Sequence, residues 1–494
     1  MTNFVQRLAD TALSRGWLER PAYYVDDSVY RFEDVYAGAA RAAAAFAARG
    51  LGRGDRILVA LADGIEFVRA FLGALRIGAV AVPVNTMFHP QEMRRAALIA
   101  EPAAVVTEPA FADRFTVPVL TPHDLDSDAP VPPYAALPPE TPAFAAFTSG
   151  TTGDPKLCFH THGDPEVLVR AAGRAVGVGP EDVSYSVPRM NFAYGLGNSL
   201  LFPLLTGGAA VLTPRRPAPG DVLAVLEKHA VSVFYSQPTF FAHMLGHPDA
   251  RRVLSRLRVA VVAGEVLLES LEQELRGILG PRLLNVYGTT EIGHAVLANV
   301  PAGQRDFTLG RPLEPYRLRV VDEAGRPVPA GVEGRLEVSG PTVGLPVPRG
   351  GDTPRRLGPG AWYSTSDAAT VDADGYVRVR GRLDDVEIVA GINVHPTEIE
   401  DRLTAHAAVE EAAVCAVRRS TGVSVLRAYA VLRRPLDEEA ARALREELLD
   451  ACRSSLTWYK VPEDISFVTA LPRNPTGKLL RRTLRELAAE DALR

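Results

Sequence analysis

The ten residues FTSGTTGDPK, from Phe147 to Lys156, combine hydroxyl side chains, glycines and one lysine. Gly150 and Gly153 let the backbone approach a ligand closely, and nearby hydroxyl and amide groups can donate hydrogen bonds to anionic oxygens. The hydroxyl groups belong to Thr148, Ser149, Thr151 and Thr152. The spacing is not that of a Walker loop, in which four residues separate a glycine from Gly-Lys-Ser/Thr. The segment therefore predicts a polyphosphate-binding loop of another kind, with a flexible turn as the alternative.

Four later stretches carry further residues suited to nucleotide chemistry. They are NVYGTTE at 285–291, YSTSDAATVDADGYVRVRGRLDD at 363–385, GINVHPTEIE at 391–400 and NPTGK at 474–478. Together with the first loop, and in this order, they resemble the adenylate-forming superfamily of acyl-CoA and aryl-CoA synthetases, adenylation domains and luciferases. The resemblance covers nearly the whole chain. It implies that a carboxylate attacks the α-phosphate of ATP to give an acyl adenylate, from which a thiol then takes the acyl group.

The resemblance also implies how the nucleotide is bound. Tyr287 would stack on the adenine, Asp367 and Arg382 would bind the ribose, and Glu291 would hold Mg²⁺, which favours carboxylate and phosphate oxygens. The loop at 148–156 would hold the β- and γ-phosphates. The nucleotide-binding residues expected from the resemblance are Thr148, Ser149, Gly150, Thr151, Thr152, Gly153, Gly264, Glu265, Tyr287, Gly288, Thr289, Asp367 and Arg382.

Lys478 is the residue expected to assist the first step, because a flexible ammonium can neutralise both the acid and the α-phosphate as they approach. The resemblance adds a contact between Thr290 and the α-phosphate. It places a hinge between domains at Asp384, and it places Gly391 beside a tunnel for pantetheine. The expected catalytic residues are Lys478, Glu291, Thr290 and Lys156, with Glu291 as the metal ligand.

The stretch MNFAYGLGN at 190–198 resembles the corresponding part of benzoate-CoA ligases, and His294 follows YGTTEIG where those enzymes carry a pocket histidine. This favours an aromatic acid. Amino-acid-activating relatives have an aspartate where Ala193 stands, and a buried ammonium without a partner is costly, so α-amino acids are disfavoured. A core helix start without a role in specificity is the alternative. The expected substrate pocket consists of Phe192, Ala193, Tyr194, Ala263, Gly264, Gly288, Ile292 and His294.

Two positions depart from the family pattern. Ser366 replaces the glycine of the usual Thr-Gly-Asp, and a serine costs about 1 kcal/mol if the backbone there has a positive φ. The segment VGLPVPRGGDTPRRL at 343–357 replaces an aromatic segment, and we interpret it as a remodelled surface loop.

Coenzyme A and the phosphopantetheine of a carrier protein are both possible thiols, and coenzyme A is preferred. Its phosphates need basic residues, for which Arg94, Arg95, Arg453 and Lys460 are candidates. Glu463 stands where a further basic residue would help to bind these phosphates. The alternative function is a stand-alone aryl-acid adenylation enzyme that loads a carrier protein. A catalytically silent scaffold is disfavoured because Lys156, Glu291, Asp367 and Lys478 are all present, and no residue distinguishes a luciferase-type oxidation.

The elements that must position these residues follow an α/β pattern. Apolar runs such as RILVAL and AVAVPV alternate with amphipathic helical stretches, which is typical of parallel sheets covered on both faces. A second series from FAAFTS to LLNVYG predicts a second sheet, and short strands around 317–343 predict a small β subdomain. We therefore predict a large N-terminal domain of two βα sheet subdomains plus a small β subdomain over 1–383, and a small mobile α+β domain over 384–494.

Composition excludes several other classes. With 47% hydrophobic and 23% charged residues the chain is globular, and its net charge of −5 with interspersed signs disfavours nucleic acid as a partner. The three cysteines lack the spacing of a zinc site or disulfide framework, and the charged start is unlike an export signal or membrane helix. The two glycines at 195 and 197 lack the third glycine of a dinucleotide fingerprint. We expect a cytoplasmic protein that uses ATP, Mg²⁺ and coenzyme A; the oligomeric state stays open.

Overall fold

The computed structural model describes residues 3–149, 155–347, 355–383, 387–389, 392–418, 424–456, 458–474 and 479–491. In chain order its first elements are α1 (Phe4–Ser14), β1 (Pro21–Val25), β2 (Ser28–Arg31), α2 (Phe32–Ala47), β3 (Arg56–Ala60), α3 (Ile65–Arg76), β4 (Val80–Pro83), α4 (Pro90–Ala100), β5 (Ala104–Thr107), β6 (Val119–Leu120), β7 (Pro142–Ser149) and β8 (Pro155–Thr161).

The first sheet has six strands in the order β6-β5-β3-β4-β7-β8. All neighbours in it are parallel except β8, which runs antiparallel to β7. Strand β7 contains FAAFTS, which was predicted to belong to the second sheet; that prediction is wrong, because β7 pairs with β4. Strands β4 and β5 are buried at every residue, as expected for strands covered by helices on both faces. The alanine-rich run 39–48 predicts a core helix, and the structure confirms it, because α2 is buried along 42–46.

A second sheet follows along the chain. Its strands and helices are α5 (Asp164–Leu168), α6 (Arg174–Val176), β9 (Val183–Ser186), α7 (Ala193–Leu196), α8 (Phe202–Thr206), β10 (Ala209–Leu212), α9 (Pro219–Lys228), β11 (Val233–Ser236), α10 (Pro238–Leu245), α11 (Ala250–Leu254), β12 (Val259–Val262), α12 (Glu269–Leu279), β13 (Leu283–Gly288), β14 (Ala295–Ala298) and β15 (Arg311–Pro312).

This second sheet has nine strands in the order β15-β14-β13-β12-β11-β9-β10-β1-β2. The strands from β13 to β1 are parallel, while β2, β14 and β15 are antiparallel additions at the two edges. The stretch YYVDDSVYRF at 23–32 predicts a short hairpin, and the structure confirms it as β1 and β2. The hairpin pairs with β10, however, so the start of the chain completes the second sheet and not the first.

A small β subdomain lies between the second sheet and the C-terminal part of the chain. Its strands β16, β17, β20 and β21 form a four-stranded antiparallel sheet in that order, which confirms the predicted subdomain. The bounds are β16 (Arg317–Val321), β17 (Gly334–Ser339), β18 (Gly344–Leu345), β19 (Arg355–Arg356), β20 (Tyr363–Val371) and β21 (Val377–Arg382).

Residues 343–347 and 355–357, the described parts of the segment interpreted as a surface loop, are anchored to the rest of the large domain. Val347 is buried and exchanges backbone hydrogen bonds with Leu157. Arg356 donates two hydrogen bonds of 2.9 Å to the buried carboxylate of Asp164. One end of the segment is therefore fixed to β8, the strand that follows the phosphate loop, and the other end to α5, the helix after it.

The C-terminal part folds around a core of its own, which includes Val394, Ile399, Leu448 and Ile465. Strands β24, β25 and β26 form a three-stranded sheet. The stretches PTEIEDRLTAH and DEEAARALREELLDACR predict two helices, which the structure confirms as α13 and α14. The bounds are β22 (Glu387–Val389), β23 (Ile392–Val394), α13 (Pro396–Thr404), β24 (Val409–Arg418), β25 (Ser424–Leu432), α14 (Glu438–Ser455), β26 (Asp464–Val468) and α15 (Arg481–Asp491). In the part of the chain described, no helix has the length and apolar character needed to cross a membrane.

Candidate functional site

A cavity of about 1060 Å³ lies where the carboxyl ends of β12 and β13 meet the β subdomain and the C-terminal domain. The carboxyl edge of a parallel sheet is the usual place for a ligand in open α/β folds. Most of the site residues predicted from the sequence line it: Thr148, Lys156, Phe192, Ala193, Tyr194, Ala263, Gly264, Glu265, Tyr287, Gly288, Thr289, Thr290, Glu291, His294, Asp367 and Arg382.

The predicted phosphate loop joins β7 to β8. Thr148 pairs with Lys156 across these antiparallel strands, and both residues line the cavity. The residues Gly150, Thr151, Thr152 and Gly153 lie outside the described residues, as does the side chain of Ser149. The hairpin thus brings the two ends of the loop to the cavity wall.

Glu291 lies opposite this hairpin. It is 8% exposed, and its Oε1 accepts a hydrogen bond of 2.9 Å from the hydroxyl of Thr148. The backbone carbonyl of Glu291 accepts a further bond of 2.7 Å from Gly344. A fixed carboxylate at a cavity wall fits a hard cation that takes its other ligands from phosphate oxygens and water. Among the described residues, Thr289 Oγ1 is buried without a protein hydrogen-bond partner, so this side of the cavity also offers a polar atom to a ligand.

The ribose-binding pair predicted from the sequence is assembled at the junction of β20 and β21. Asp367 pairs in register with Arg382, and the hydroxyl of Tyr287 donates a hydrogen bond to Asp367 Oδ2. Burial raises the pKa of Tyr287 well above its ordinary value, and the neighbouring Asp367 carboxylate raises it further. The tyrosine therefore stays protonated and remains a donor.

Ser366 has a φ of +62°, in the left-handed region that favours glycine. The conditional prediction made for this position therefore applies: the serine carries backbone strain beside Asp367.

Tyr363 is a site residue that sequence reasoning missed. It lies on β20, lines the cavity, and has its pKa raised first by burial and then by the nearby Glu291 carboxylate. The sequence did contain a signal for Tyr363, because alternate residues of a strand share one face. Tyr363, Thr365 and Asp367 all line the cavity, as alternation along β20 predicts; Ser366, whose positive φ interrupts the strand, lines it as well.

His294 ends a chain of hydrogen bonds at the apolar end of the cavity. The Pro188 carbonyl can only accept, so Ser186 donates to it over 2.9 Å and accepts over 3.2 Å from the amide nitrogen of Asn198. The amide oxygen of Asn198 then accepts from Nε2 of His294 over 3.0 Å. Burial lowers the pKa of His294 to about 3, against an opposing effect of the Tyr194 backbone. The network thus fixes a neutral imidazole protonated on Nε2.

The aromatic residues around His294 form a narrow slot. The rings of Tyr194 and Phe202 lie 5.1 and 4.5 Å from the imidazole, measured between centroids. A Cβ atom at Gly197 would lie 2.3 Å from Cδ2 of His294, so only glycine leaves the imidazole its place. The segment 190–198 contains the start of helix α7, and three of its residues, Phe192, Ala193 and Tyr194, line the cavity. Its role in specificity stays a prediction.

Ile292 is not in this slot, and its predicted place in the substrate pocket is corrected. Its side chain is fully buried and packs with Ala171, Val296, Tyr316 and Val338 on the side of the β subdomain. In the turn that follows β13, Glu291 faces the cavity while its neighbour Ile292 faces the core.

Residues of the C-terminal domain close the remaining side. Arg473 and Leu479 both line the cavity and are bridged to each other by an antiparallel backbone pair. Lys478, Asp384 and Gly391 lie outside the described residues. The chain on both sides of 475–478 nevertheless reaches the cavity.

Four residues connect the two domains beside this segment, and we call them the contact cluster: His243, Glu265, Glu411 and Arg473. Nε2 of His243 lies 2.6 Å from Oε1 of Glu411, whose Oε2 accepts from Arg473 over 2.7 Å. Arg473 also lies 3.6 Å from Glu265, whose second oxygen accepts from the hydroxyl of Thr239. Sequence reasoning missed this cluster because its members come from distant parts of the chain.

The basic residues proposed for the phosphates of coenzyme A do not line the cavity. Lys460 pairs with Glu398, and Arg453 pairs with Asp450 over 2.7 Å. Arg94 and Arg95 lie on α4 in the first sheet subdomain. Arg402 and Arg433 of the C-terminal domain do line the cavity.

Two family models match the chain. The model described as AMP-binding enzyme matches residues 10–345, and the model described as AMP-binding enzyme C-terminal domain matches residues 398–478. Together they span both domains of the structure.

Individual proteins are similar over almost the whole chain. The p-hydroxybenzoic acid–AMP ligase FadD22 of Mycobacterium tuberculosis is 39% identical over 98% of this chain and 69% of its own length. The benzoate–CoA ligase of Thauera aromatica is 34% identical over 94% of this chain and 92% of its own. The crystal structure of a benzoate CoA ligase from Burkholderia xenovorans LB400 superimposes with a TM-score of 0.88 and 30% identity, covering 98% of this chain and 100% of that one.

Proposed function

Because the chain belongs to the AMP-binding enzyme family, we propose that it activates an aromatic, benzoate-like carboxylic acid with ATP and transfers the acyl group to the thiol of coenzyme A. In the first step a carboxylate oxygen bonds to the α-phosphorus while the bond to pyrophosphate breaks. In the second step the thiol sulfur bonds to the carbonyl carbon, the thiol proton is lost and AMP leaves. The protein is then an acid–thiol ligase that forms AMP.

The observation that supports this proposal most directly is the shared cavity. Its apolar end is walled by Phe192, Tyr194 and the neutral His294, while its polar end carries Glu291 and Asp367. A flat aromatic ring fits the first environment, since aromatic side chains and an uncharged imidazole impose no desolvated charge on it. A carboxylate attached to that ring would then point toward the nucleotide end.

The nucleotide end offers a group for each part of ATP. The ring of Tyr287 would lie on the adenine, and Asp367 with Arg382 would bind the ribose hydroxyls. The ends of the 148–156 loop, including Lys156, would hold the departing pyrophosphate, with Thr290 near the α-phosphate. Mg²⁺ held by Glu291 and phosphate oxygens would neutralise part of the charge that develops on the pyrophosphate.

Lys478 would enter the cavity from the C-terminal domain. Arg473 and Leu479, on either side of 475–478, both line the cavity, which supports this placement. An ammonium between the acid and the α-phosphate would reduce the repulsion of two anions. After adenylation a rotation of the C-terminal domain about Asp384 would withdraw the lysine and bring the segment around Gly391 to the cavity for the thiol.

The acceptor thiol is proposed as coenzyme A on the names of the relatives. Two of the three similar proteins described above are ligases of coenzyme A, and the third is named as an AMP ligase without a thiol. A carrier protein, the alternative left open by the sequence, is named by none of the three. Arg402 and Arg433 of the C-terminal domain line the cavity in the orientation described. Because the thiol step is proposed to follow a rotation of that domain, they are candidates beside Arg94, Arg95, Arg453 and Lys460.

The test separates the two steps. Wild-type protein with Mg²⁺ and a panel of benzoates is assayed for exchange of labelled pyrophosphate into ATP, and products are then analysed by mass spectrometry with coenzyme A or a carrier protein as acceptor. Lys478→Ala should abolish exchange but transfer the acyl group from supplied acyl adenylate. Lys228→Ala, on an exposed helix end paired with Asp27, is the matched control. No exchange with any aromatic acid would refute the proposal; a thioester on the carrier protein alone would replace coenzyme A as the acceptor.

A further inference from the structure

Asp63 is a buried carboxylate that the proposed chemistry does not use. It lies in the loop after β3 of the first sheet and is 6% exposed. Its two oxygens lie 3.2 and 3.1 Å from the backbone nitrogen of Met190, which donates to both. Met190 belongs to the connection between β9 and α7 of the second sheet. The carboxylate therefore joins the two sheets at the start of the segment that walls the aromatic slot.

The segment held by Asp63 is packed tightly against its own backbone. Phe192 donates its backbone N–H to the carbonyl of Arg189 over 3.0 Å. A Cβ atom at Gly195 would lie only 2.0 Å from that same carbonyl oxygen, so the first turn of α7 lies directly on the backbone of 188–189. A displacement of Met190 must therefore move Phe192 and Tyr194, which both line the cavity.

The charge on Asp63 is only partly compensated. The charged and titratable groups that face it are Arg189, whose Nη1 lies 4.0 Å away, and Tyr185 on β9. Arg189 directs a hydrogen bond to the Thr213 carbonyl, and Tyr185 shares one of 3.0 Å with the Thr213 hydroxyl. Burial raises the pKa of Asp63 to about 6, against the lowering effects of Arg189 and of the Met190 N–H. A buried carboxylate in this position costs stability, which a purely structural role would not require.

We propose that Asp63 is a positioning residue for the aromatic acid: its carboxylate holds the Met190 amide and so fixes the wall of the slot formed by Phe192 and Tyr194. This inference rests on the proposed function, because it concerns the same slot. A charged acceptor holds an N–H group more strongly than a neutral one does. The slot is therefore well formed when Asp63 is ionised and looser when it is protonated.

The experiment compares Asp63→Asn with wild type. The amide has the same shape and keeps an acceptor for Met190 but removes the charge. We expect the KM for the aromatic acid to rise by about fivefold at pH 7.5, with the KM for ATP and kcat of pyrophosphate exchange nearly unchanged. In wild type the KM for the acid should rise as the pH falls from 7.5 to 5.5, where an acid of pKa ~4 stays ionised. In Asp63→Asn this pH dependence should disappear.

Folding of the variant is checked by its melting temperature. The folded pKa of Asp63 is raised above the unfolded value, so its ionisation lowers stability as the pH rises from about 4 to about 6. Asp63→Asn should therefore melt no lower than wild type at pH 7.5. Asp182→Asn is the matched control: Asp182 is a buried carboxylate next to the other end of β9 that accepts a backbone N–H from Gly179 and pairs with Arg258. The Asp182→Asn substitution should lower the melting temperature and leave the KM for the acid unchanged.

The outcomes distinguish this inference from the proposed function. Three results for Asp63→Asn would overturn the positioning role. They are a KM for the acid equal to that of wild type, a rise in the KM for ATP as large as that for the acid, and a pH dependence of the KM like that of wild type. Calorimetric binding of the acid to both proteins should reproduce the difference without turnover. If wild type neither binds nor activates any aromatic acid, the proposed function fails and this inference falls with it.

Discussion

Glu411→Gln tests whether the contact cluster holds the C-terminal domain in the orientation used for adenylation. In the structure this orientation brings the chain around 475–478 to the cavity, and the bond between His243 and Glu411 crosses the domain boundary. The glutamine keeps an acceptor of the same size but removes the charge that attracts His243 and Arg473. The orientation should therefore become less populated while both domains stay folded.

The size of the effect follows from the geometry. Hydrogen bonds to charged groups contribute about 1.5–3 kcal/mol when buried. The side chain of Glu411 is 13% exposed but that of His243 is 37% exposed, so we take about 1 kcal/mol for the bond between them after solvent screening. This corresponds to about a fivefold loss in the rate of adenylation. In the proposed mechanism thiol transfer uses another orientation, so transfer from supplied acyl adenylate should be unchanged or faster.

The effect should also depend on pH. The hydrogen bond to Glu411 raises the pKa of His243, with burial acting in the opposite direction. A raised histidine pKa means that the ion pair is complete below the ordinary value near ~6.5 and is lost as the pH rises through the raised value. The difference in adenylation rate between wild type and Glu411→Gln should therefore be largest near pH 6 and shrink toward pH 9.

Single-turnover measurements of the two half-reactions test whether Glu411→Gln slows adenylation alone. Pyrophosphate release reports adenylation, and thioester formation from synthetic acyl adenylate reports transfer. Asp450→Asn, which removes an exposed partner of Arg453 within one helix, is the control and should change neither rate. Equal losses in both half-reactions, or a loss that does not vary with pH, would refute the reasoning.

Three further substitutions test separate parts of the site. Ser366→Gly should raise the unfolding free energy by about 1 kcal/mol in urea titrations, because it relieves the positive φ; a lower midpoint would contradict this. Gly197→Ala should displace the imidazole of His294 and raise the KM for the acid at least tenfold with little effect on that for ATP, whereas Gly277→Ala, with open space around it, should change neither. Glu291→Gln should raise the Mg²⁺ concentration needed for half-maximal pyrophosphate exchange, and an unchanged requirement would remove Glu291 as the ligand.

The local parts of the fold could be predicted from the sequence because local physics decides them. Buried parallel strands appear as continuous apolar runs, so β3, β4 and β5 were recognisable without any contact information. The strain at Ser366 was foreseeable because only one backbone conformation commonly requires glycine. The placement of β1 and β2 in the second sheet was not foreseeable, since it depends on a pairing with β10 nearly two hundred residues away.

A residue of the candidate site could be placed from the sequence where a single motif indicates both its chemical role and the direction of its side chain. Glu291 and Asp367 met these conditions, and both line the cavity. Ile292 did not, because the turn after β13 sends successive side chains to opposite sides and no periodicity reveals which one faces the ligand. Asp63 and Tyr363 were missed for different reasons. Asp63 bonds a backbone amide of another sheet, and Tyr363 stands at the start of a block that was considered only for its later residues.

The two ends of the cavity, the slot for the acid and the nucleotide end, are built from different parts of the chain. The slot around His294 lies within the large domain, where Asn198 bonds the imidazole and Asp63 bonds the backbone of Met190. The nucleotide end is built from strand ends and from the C-terminal domain, whose orientation changes between the proposed steps. Substitutions in the slot should therefore act mainly on the affinity for the acid, and substitutions at the contact cluster mainly on the rate of the first step. Selectivity for the acid can accordingly change through a few buried residues while the machinery that activates it stays intact.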